Sequence, residues 1–146
     1  MRRQAVIPFL LLMAWSSPAR ADCTLDLIVV VEGFNGAEGQ AGVAVFDAAD
    51  GFPLDADKAR TKATGAIVDG TATLSFPGLP AGTYAVAAMH DKDLDGKLDR
   101  NWVGKPTEGY AVSNNAKAGR FSAPSFEDAR FEARCGEQIV RLRVGY

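Results

Sequence analysis

Apolar and polar positions alternate along the chain in short runs cut by turn residues, and each run has a strand-like character. Leu25 to Val31 (Leu-Asp-Leu-Ile-Val-Val-Val) is rich in β-branched residues and reads as a buried strand, ended by Gly33-Phe34-Asn35-Gly36. Gln40 to Asp47 alternates with period two and predicts a second strand, broken by Asp50-Gly51-Phe52-Pro53. Asp55 to Lys62 is charged and reads as a loop or a short helical turn, and Ala63 to Val68 as a short strand. Asp69-Gly70 is a two-residue hairpin signal, because both residue types accept the positive φ angles such a turn requires. Thr71 to Phe76 alternates again, Pro77 to Gly82 reads as a turn cluster, and Thr83 to Met89 is the strongest candidate for a central strand. Ala129 to Ala133 and Gln138 to Val144 each alternate with one polar face. About seven short strands without a long amphipathic helix predict an all-β fold, an antiparallel, immunoglobulin-like β-sandwich forming a single domain over residues 22–146.

The stretch from Asp91 to Pro124 carries no strand pattern. A loop of that length inside a small domain is usually functional or disordered. Trp102, Tyr110 and Phe121 favour order, since disordered segments are poor in aromatics.

The first 21 residues stand apart from this pattern. Arg2 and Arg3 precede an apolar run from Ala5 to Trp15, and the segment closes on Ala19-Arg20-Ala21. That order of charged, apolar and small residues predicts a secretory signal peptide cut near Ala21. The run is too short for a bilayer span, which takes about 20 residues, and no later segment is apolar enough, so the chain is expected not to span a membrane. The remaining chain would be periplasmic or secreted. The segment holds three of the 16 basic residues and none of the 18 acidic ones, which leaves the rest at a formal charge of −5. An acidic surface of that kind argues against nucleic acid or an anionic membrane surface as partner. Cys23 and Cys135 lie near the two ends of what remains and predict a disulfide in an oxidising compartment, the alternative being a metal or redox pair.

The sharpest chemical motif is Asp91-Lys92-Asp93-Leu94-Asp95-Gly96-Lys97-Leu98-Asp99. Carboxylates at loop positions 1, 3 and 5 converge on one point, Gly at 6 permits the sharp turn, the carbonyl at 7 points inward, and position 9 contributes directly or through water. The expected Ca²⁺ ligands are Asp91, Asp93, Asp95, the Lys97 carbonyl and Asp99, with Asn101 and Glu108 as candidates for the remaining positions. An EF-hand would carry Glu at position 12, where this chain has Trp102, and a strand rather than a helix leads into the loop. The alternative is an acidic solvated turn, since Asp and Gly are good turn formers in their own right.

His90, the only histidine, adjoins the motif. It is expected to anchor the loop to its strand, and the alternative is a general base. Ser113 in the same stretch lacks a nucleophile-elbow sequence around it. Trp102, Tyr110 and Asn114 are the candidates for a ligand-facing surface.

Leu79 to Asp99, the segment Val103 to Asn115 with its Pro106-Thr107-Glu108-Gly109-Tyr110 element, Pro124 to Ala129 and, more loosely, Val31 to Asp47 together resemble the DUF2141 family of bacterial exported proteins of unknown function. The resemblance implies an exported domain and no particular activity. Family members often carry Asn where this chain has Asp93 and Asp95, so the loop here is the richer in negative charge. Leu79-Pro80-Ala81-Gly82-Thr83-Tyr84 is also similar to the sheet edge of transthyretin-like domains, which implies a prealbumin-like sandwich by analogy of fold alone.

The expectation is therefore an exported, non-enzymatic β-sandwich that binds Ca²⁺ and presents its ordered loop to an unknown protein or glycan. The alternatives are a small hydrolase or lyase using His90 with a metal, and a structural envelope module that binds nothing.

Overall fold

The computed structural model describes residues 23–120 and 122–146. The expected signal peptide and Phe121 lie outside the described residues. Eight strands form two sheets: β1 (Thr24–Glu32), β2 (Gln40–Phe46), β3 (Thr61–Gly65), β4 (Thr71–Pro80), β5 (Gly82–Asp91), β6 (Tyr110–Val112), β7 (Phe131–Ala133) and β8 (Gly136–Arg143). One sheet has the order β4-β1-β8, and the other β3-β2-β5-β6 with β7 paired to the start of β5. A single helical turn, α1 (Phe126–Ala129), precedes β7.

The core forms where the two sheets face each other. Leu25, Leu27, Val29 and Val31 of β1 are fully buried, while the residues between them are exposed or half-buried. A run that is apolar at nearly every position therefore covers the core with only one face, as a period-two backbone dictates. Val43, Val45, Val86 and Ala88 meet it from the other sheet, with Leu74, Phe76 and Leu142 completing the layer. A second, smaller cluster lies on the outer face of the β2-β5 sheet, where Phe52 stacks edge-on between Phe46 and Phe126 above Ala85 and Val112.

The all-β, two-sheet architecture is the expected one, with an extra strand and one parallel pairing. β8 runs parallel to β1, from Leu25 opposite Gly136 to Glu32 opposite Arg143, so the sandwich is not wholly antiparallel. The physical reason is the Cys23–Cys135 disulfide, which sits immediately before both strands with 5.4 Å between the Cα atoms. Two strands that leave one covalent junction side by side must point the same way.

Two turn signals act differently from their sequence reading. Asp69 and Gly70 do form the tight turn, with φ of 51° and 73° and paired Val68–Thr71 backbone bonds. It carries the chain from β3 in one sheet to β4 in the other rather than joining neighbouring strands. Pro77 to Pro80 does not end β4. The strand continues through a bulge in which Gly78 N–H donates to Asp26 Oδ1 at 3.0 Å. β4 is an edge strand, so its prolines interrupt no ladder on the open side.

β6, α1 and a 3-10 turn at Ser113–Asn115 all fall within or just after the expected loop. Among the described residues the irregular part shrinks to 92–109, 116–120 and 122–125.

Candidate functional site

The acidic loop begins where β5 runs out. β2 and β5 stay paired to the last residue, with Gln40 opposite Asp91. Gly39, at φ 69°, lies against that point: a Cβ there would collide with the Asp91 carbonyl and with Lys92 Cα. Only glycine lets the preceding turn approach so closely.

Asp91 is fully buried and its carboxylate is the centre around which the loop winds. Gln40 Nε2 donates to Oδ2 at 2.8 Å, Gly96 N–H to Oδ2 at 3.1 Å, and Asp95 N–H to Oδ1 at 3.1 Å. The chain folds back on itself through Leu94 (φ 64°) and Gly96 (φ 76°), both left-handed. Asp95 N–H also donates to Asp93 Oδ1 at 3.2 Å, and Lys97 N–H to Asp95 Oδ1 at 2.7 Å. A carboxylate has about four lone-pair positions, so Asp91 keeps one free and Asp93 and Asp95 keep most of theirs.

Glu108 closes the far side. It is buried at the edge of β6, and its Oε1 accepts from Lys92 N–H at 2.9 Å and its Oε2 from Asp99 N–H at 3.2 Å. One side chain thus ties the start of the loop to its middle. Ligand atoms of Asp91, Asp93 and Asp95 lie within 4.8 Å of one another, and so do those of Asp93, Asp99 and Glu108. Asp93 belongs to both groups. Its carboxyl is raised from its ordinary value: the Asp95 N–H bond pulls it down, and this is outweighed by desolvation together with the charges of Asp95, Asp99 and Asp91. Like charges crowded at one place favour the neutral acid unless a cation joins them.

Asn101 is engaged elsewhere, its Oδ1 accepting from Val103 N–H and Lys105 N–H at 3.1 and 3.0 Å.

His90 is fully buried, and both ring nitrogens are occupied. Nε2 lies 2.8 Å from the Glu38 carbonyl, which can only accept, so Nε2 carries a proton. Nδ1 lies 2.7 Å from Tyr146 Oη, whose oxygen in turn accepts from Asn35 N–H at 3.1 Å. Phe34 packs edge-on against the imidazole. The histidine thereby joins β5, the 33–39 turn and Tyr146. Ser113 is likewise buried, accepting from Val86 N–H at 2.9 Å and donating to the Ala129 carbonyl at 2.6 Å.

The three residues expected to form a ligand surface have different surroundings. Tyr110 is half-buried in β6, opposite Met89 and bridged to Gly145. Asn114, at φ 60°, donates from Nδ2 to the Asp128 and Arg130 carbonyls and so holds α1 in place. Trp102 stands at the loop tip, 96% exposed.

The model of uncharacterized proteins conserved in bacteria, DUF2141, matches residues 29–141. The chain belongs to the DUF2141 family. The DUF2141 match runs from the second half of β1 through most of β8 and takes in the whole acidic loop, both anchors His90 and Glu108, and Ser113. No curated protein and no solved structure matches the chain.

Sequence reasoning missed Gln40, Gly39 and Tyr146. Gln40 is the first residue of its strand and Tyr146 is far away in sequence, so only the strand pairing brings them to Asp91 and His90.

Proposed function

We propose that this DUF2141 protein is an exported, non-enzymatic β-sandwich whose 91–108 loop binds Ca²⁺ and, once ordered by it, offers its outer surface to a partner. The observation that carries this reading is the position of Asp93 between two carboxylate groups, one with Asp91 and Asp95, the other with Asp99 and Glu108. The donors are all oxygens, which suits a hard cation such as Ca²⁺ and disfavours zinc or copper. The N–H bonds to Asp91 and Glu108 hold these side chains in place while leaving lone pairs open, so little reorganisation would accompany binding. The disulfide supports an oxidising compartment. Among the described residues no helix is long and apolar enough to cross a membrane.

His90 serves this reading as an anchor, with both nitrogens bonded inside the fold. Calorimetric titration of the chain from residue 22 with Ca²⁺, beside Asp93→Asn/Asp95→Asn, tests it. Saturable binding that disappears in the double variant is expected. No heat at millimolar Ca²⁺ would reduce the motif to an acidic turn.

A further inference from the structure

The loop ends in a braced hairpin. Arg100 bridges to Pro106, Asn101 N–H donates to the Lys105 carbonyl at 2.9 Å, Gly104 N–H to the Asn101 carbonyl at 2.8 Å, and Thr107 N–H to the Asp99 carbonyl at 2.9 Å. Asn101 Oδ1 fills the inside of the turn. This frame holds out apolar groups: beside Trp102, Val103 is 60% exposed and Leu94, on the neighbouring turn, 62%. Of the seven large apolar residues exposed among the described residues, these three fall in one loop. A braced backbone needs no further ordering when the tip meets a partner, so more of the burial of the tryptophan goes into affinity.

The charges choose between partners. Arg100 and Lys105 flank the Trp102-Val103 pair, and no ion pair holds either among the described residues. Across residues 91–108, four cations (Lys92, Lys97, Arg100, Lys105) stand against five carboxylates (Asp91, Asp93, Asp95, Asp99, Glu108), a net −1. One bound Ca²⁺ turns that into +1. Charge beyond about 8–10 Å is largely screened at ordinary ionic strength, so the acidic remainder of the domain weighs little at the tip. An indole and aliphatic side chains framed by Arg and Lys match the boundary between acyl chains and anionic headgroups.

We infer that the 99–107 hairpin docks on an anionic lipid surface, Trp102 entering the interface, and that Ca²⁺ strengthens the docking by reversing the loop's charge. The calcium part rests on the cation reading above; the lipid part rests on the hairpin itself.

The chain from residue 22 holds every described element and has Trp102 as its single tryptophan, the other being Trp15. Its fluorescence therefore reports the tip alone. It is mixed with vesicles of phosphatidylcholine, with or without phosphatidylglycerol, in Ca²⁺ or chelator, and vesicle-bound protein is also pelleted. Ca²⁺ affinity is measured separately without vesicles. Expected are a blue shift and pelleting with the anionic vesicles in Ca²⁺, weakened about tenfold by Trp102→Ala and also by Arg100→Glu/Lys105→Glu. Ca²⁺ binding with no shift and no pelleting would overturn the docking while leaving the cation site. Equal pelleting of Trp102→Ala would overturn it as well. Vesicle binding undiminished in chelator would remove the calcium coupling and keep the docking. Trp102-dependent dimers in sedimentation, without vesicle binding, would assign the tip to a second copy of the chain and overturn the proposal.

Discussion

Replacing Tyr146 by Phe removes a single oxygen from the network around His90. That oxygen donates to His90 Nδ1 at 2.7 Å and accepts from Asn35 N–H at 3.1 Å. Asn35 is exposed and recovers a water, so its loss is small. His90 is fully buried and has no second partner for Nδ1, so the acceptor is left without a proton. Leaving a buried acceptor unmade costs about 1–3 kcal/mol, and the exposure of the Tyr146 ring argues for the lower part of that range, about 1–2 kcal/mol. For a domain of this size that corresponds to a fall in Tm of roughly 4–8 °C. Thermal unfolding by circular dichroism on the oxidised chain reads it directly. Amide exchange at Asn35 and His90 should quicken in the same variant, because the 33–39 turn loses its tie to β5. A Tm within a degree of the parent would refute the reasoning. It would mean that Nδ1 is reached by water or that the tyrosine hydroxyl contributes nothing.

Ser113→Ala leaves the Val86 N–H of the central strand without its 2.9 Å acceptor, and a destabilisation of about 2–3 kcal/mol is expected in urea unfolding at unchanged m. Gly39→Ala forces a Cβ onto the Asp91 carbonyl at a left-handed φ and should cost about 2 kcal/mol or more by the same assay. Asp93 has a raised folded pKa, so the folded chain binds more protons than the unfolded one between the two values, and stability falls as pH rises through that window. In chelator at pH 7, Asp93→Asn should therefore be at least as stable as the parent, and in Ca²⁺ less stable; melting curves in both buffers decide. Reducing the Cys23–Cys135 bridge, which closes a separation of 112 residues, should lower stability by about 4–5 kcal/mol in the chain-entropy picture, seen as a fall in the urea midpoint.

The longer strands were legible because alternation and β-branching persist over seven or more residues in β1, β2, β5 and β8. β6, with three residues, is too short to show a period, and it exists because β5 offers it an edge, whereas β7 lies inside the alternating stretch Ala129 to Ala133, of which α1 takes the first residue. The parallel neighbour of β1 was hidden for a different reason: a period places a residue on a face and says nothing about which distant strand lies beside it. The two cysteines held that information, each directly before its strand. In the loop, the Asp spacing marked the carboxylates that the fold draws together, and Glu108 stood out as a lone acid after Pro106. The partners of His90 were invisible, since a backbone carbonyl at Glu38 and a hydroxyl at Tyr146 have no signature near position 90.

The pairing of β1 with β8 also sets the order in which the molecule can assemble. β1 lies in the middle of its sheet, between a strand that follows it by about forty residues and one that follows by more than a hundred. Until β8 emerges, one edge of this very apolar strand has no neighbour, and β4 alone must shield it. Contacts so distant in sequence close slowly. The second sheet, built from nearer neighbours, can form first and wait. A chain wired in this way gains little from folding while it is being made, and is suited to being held unfolded until its last strand is free.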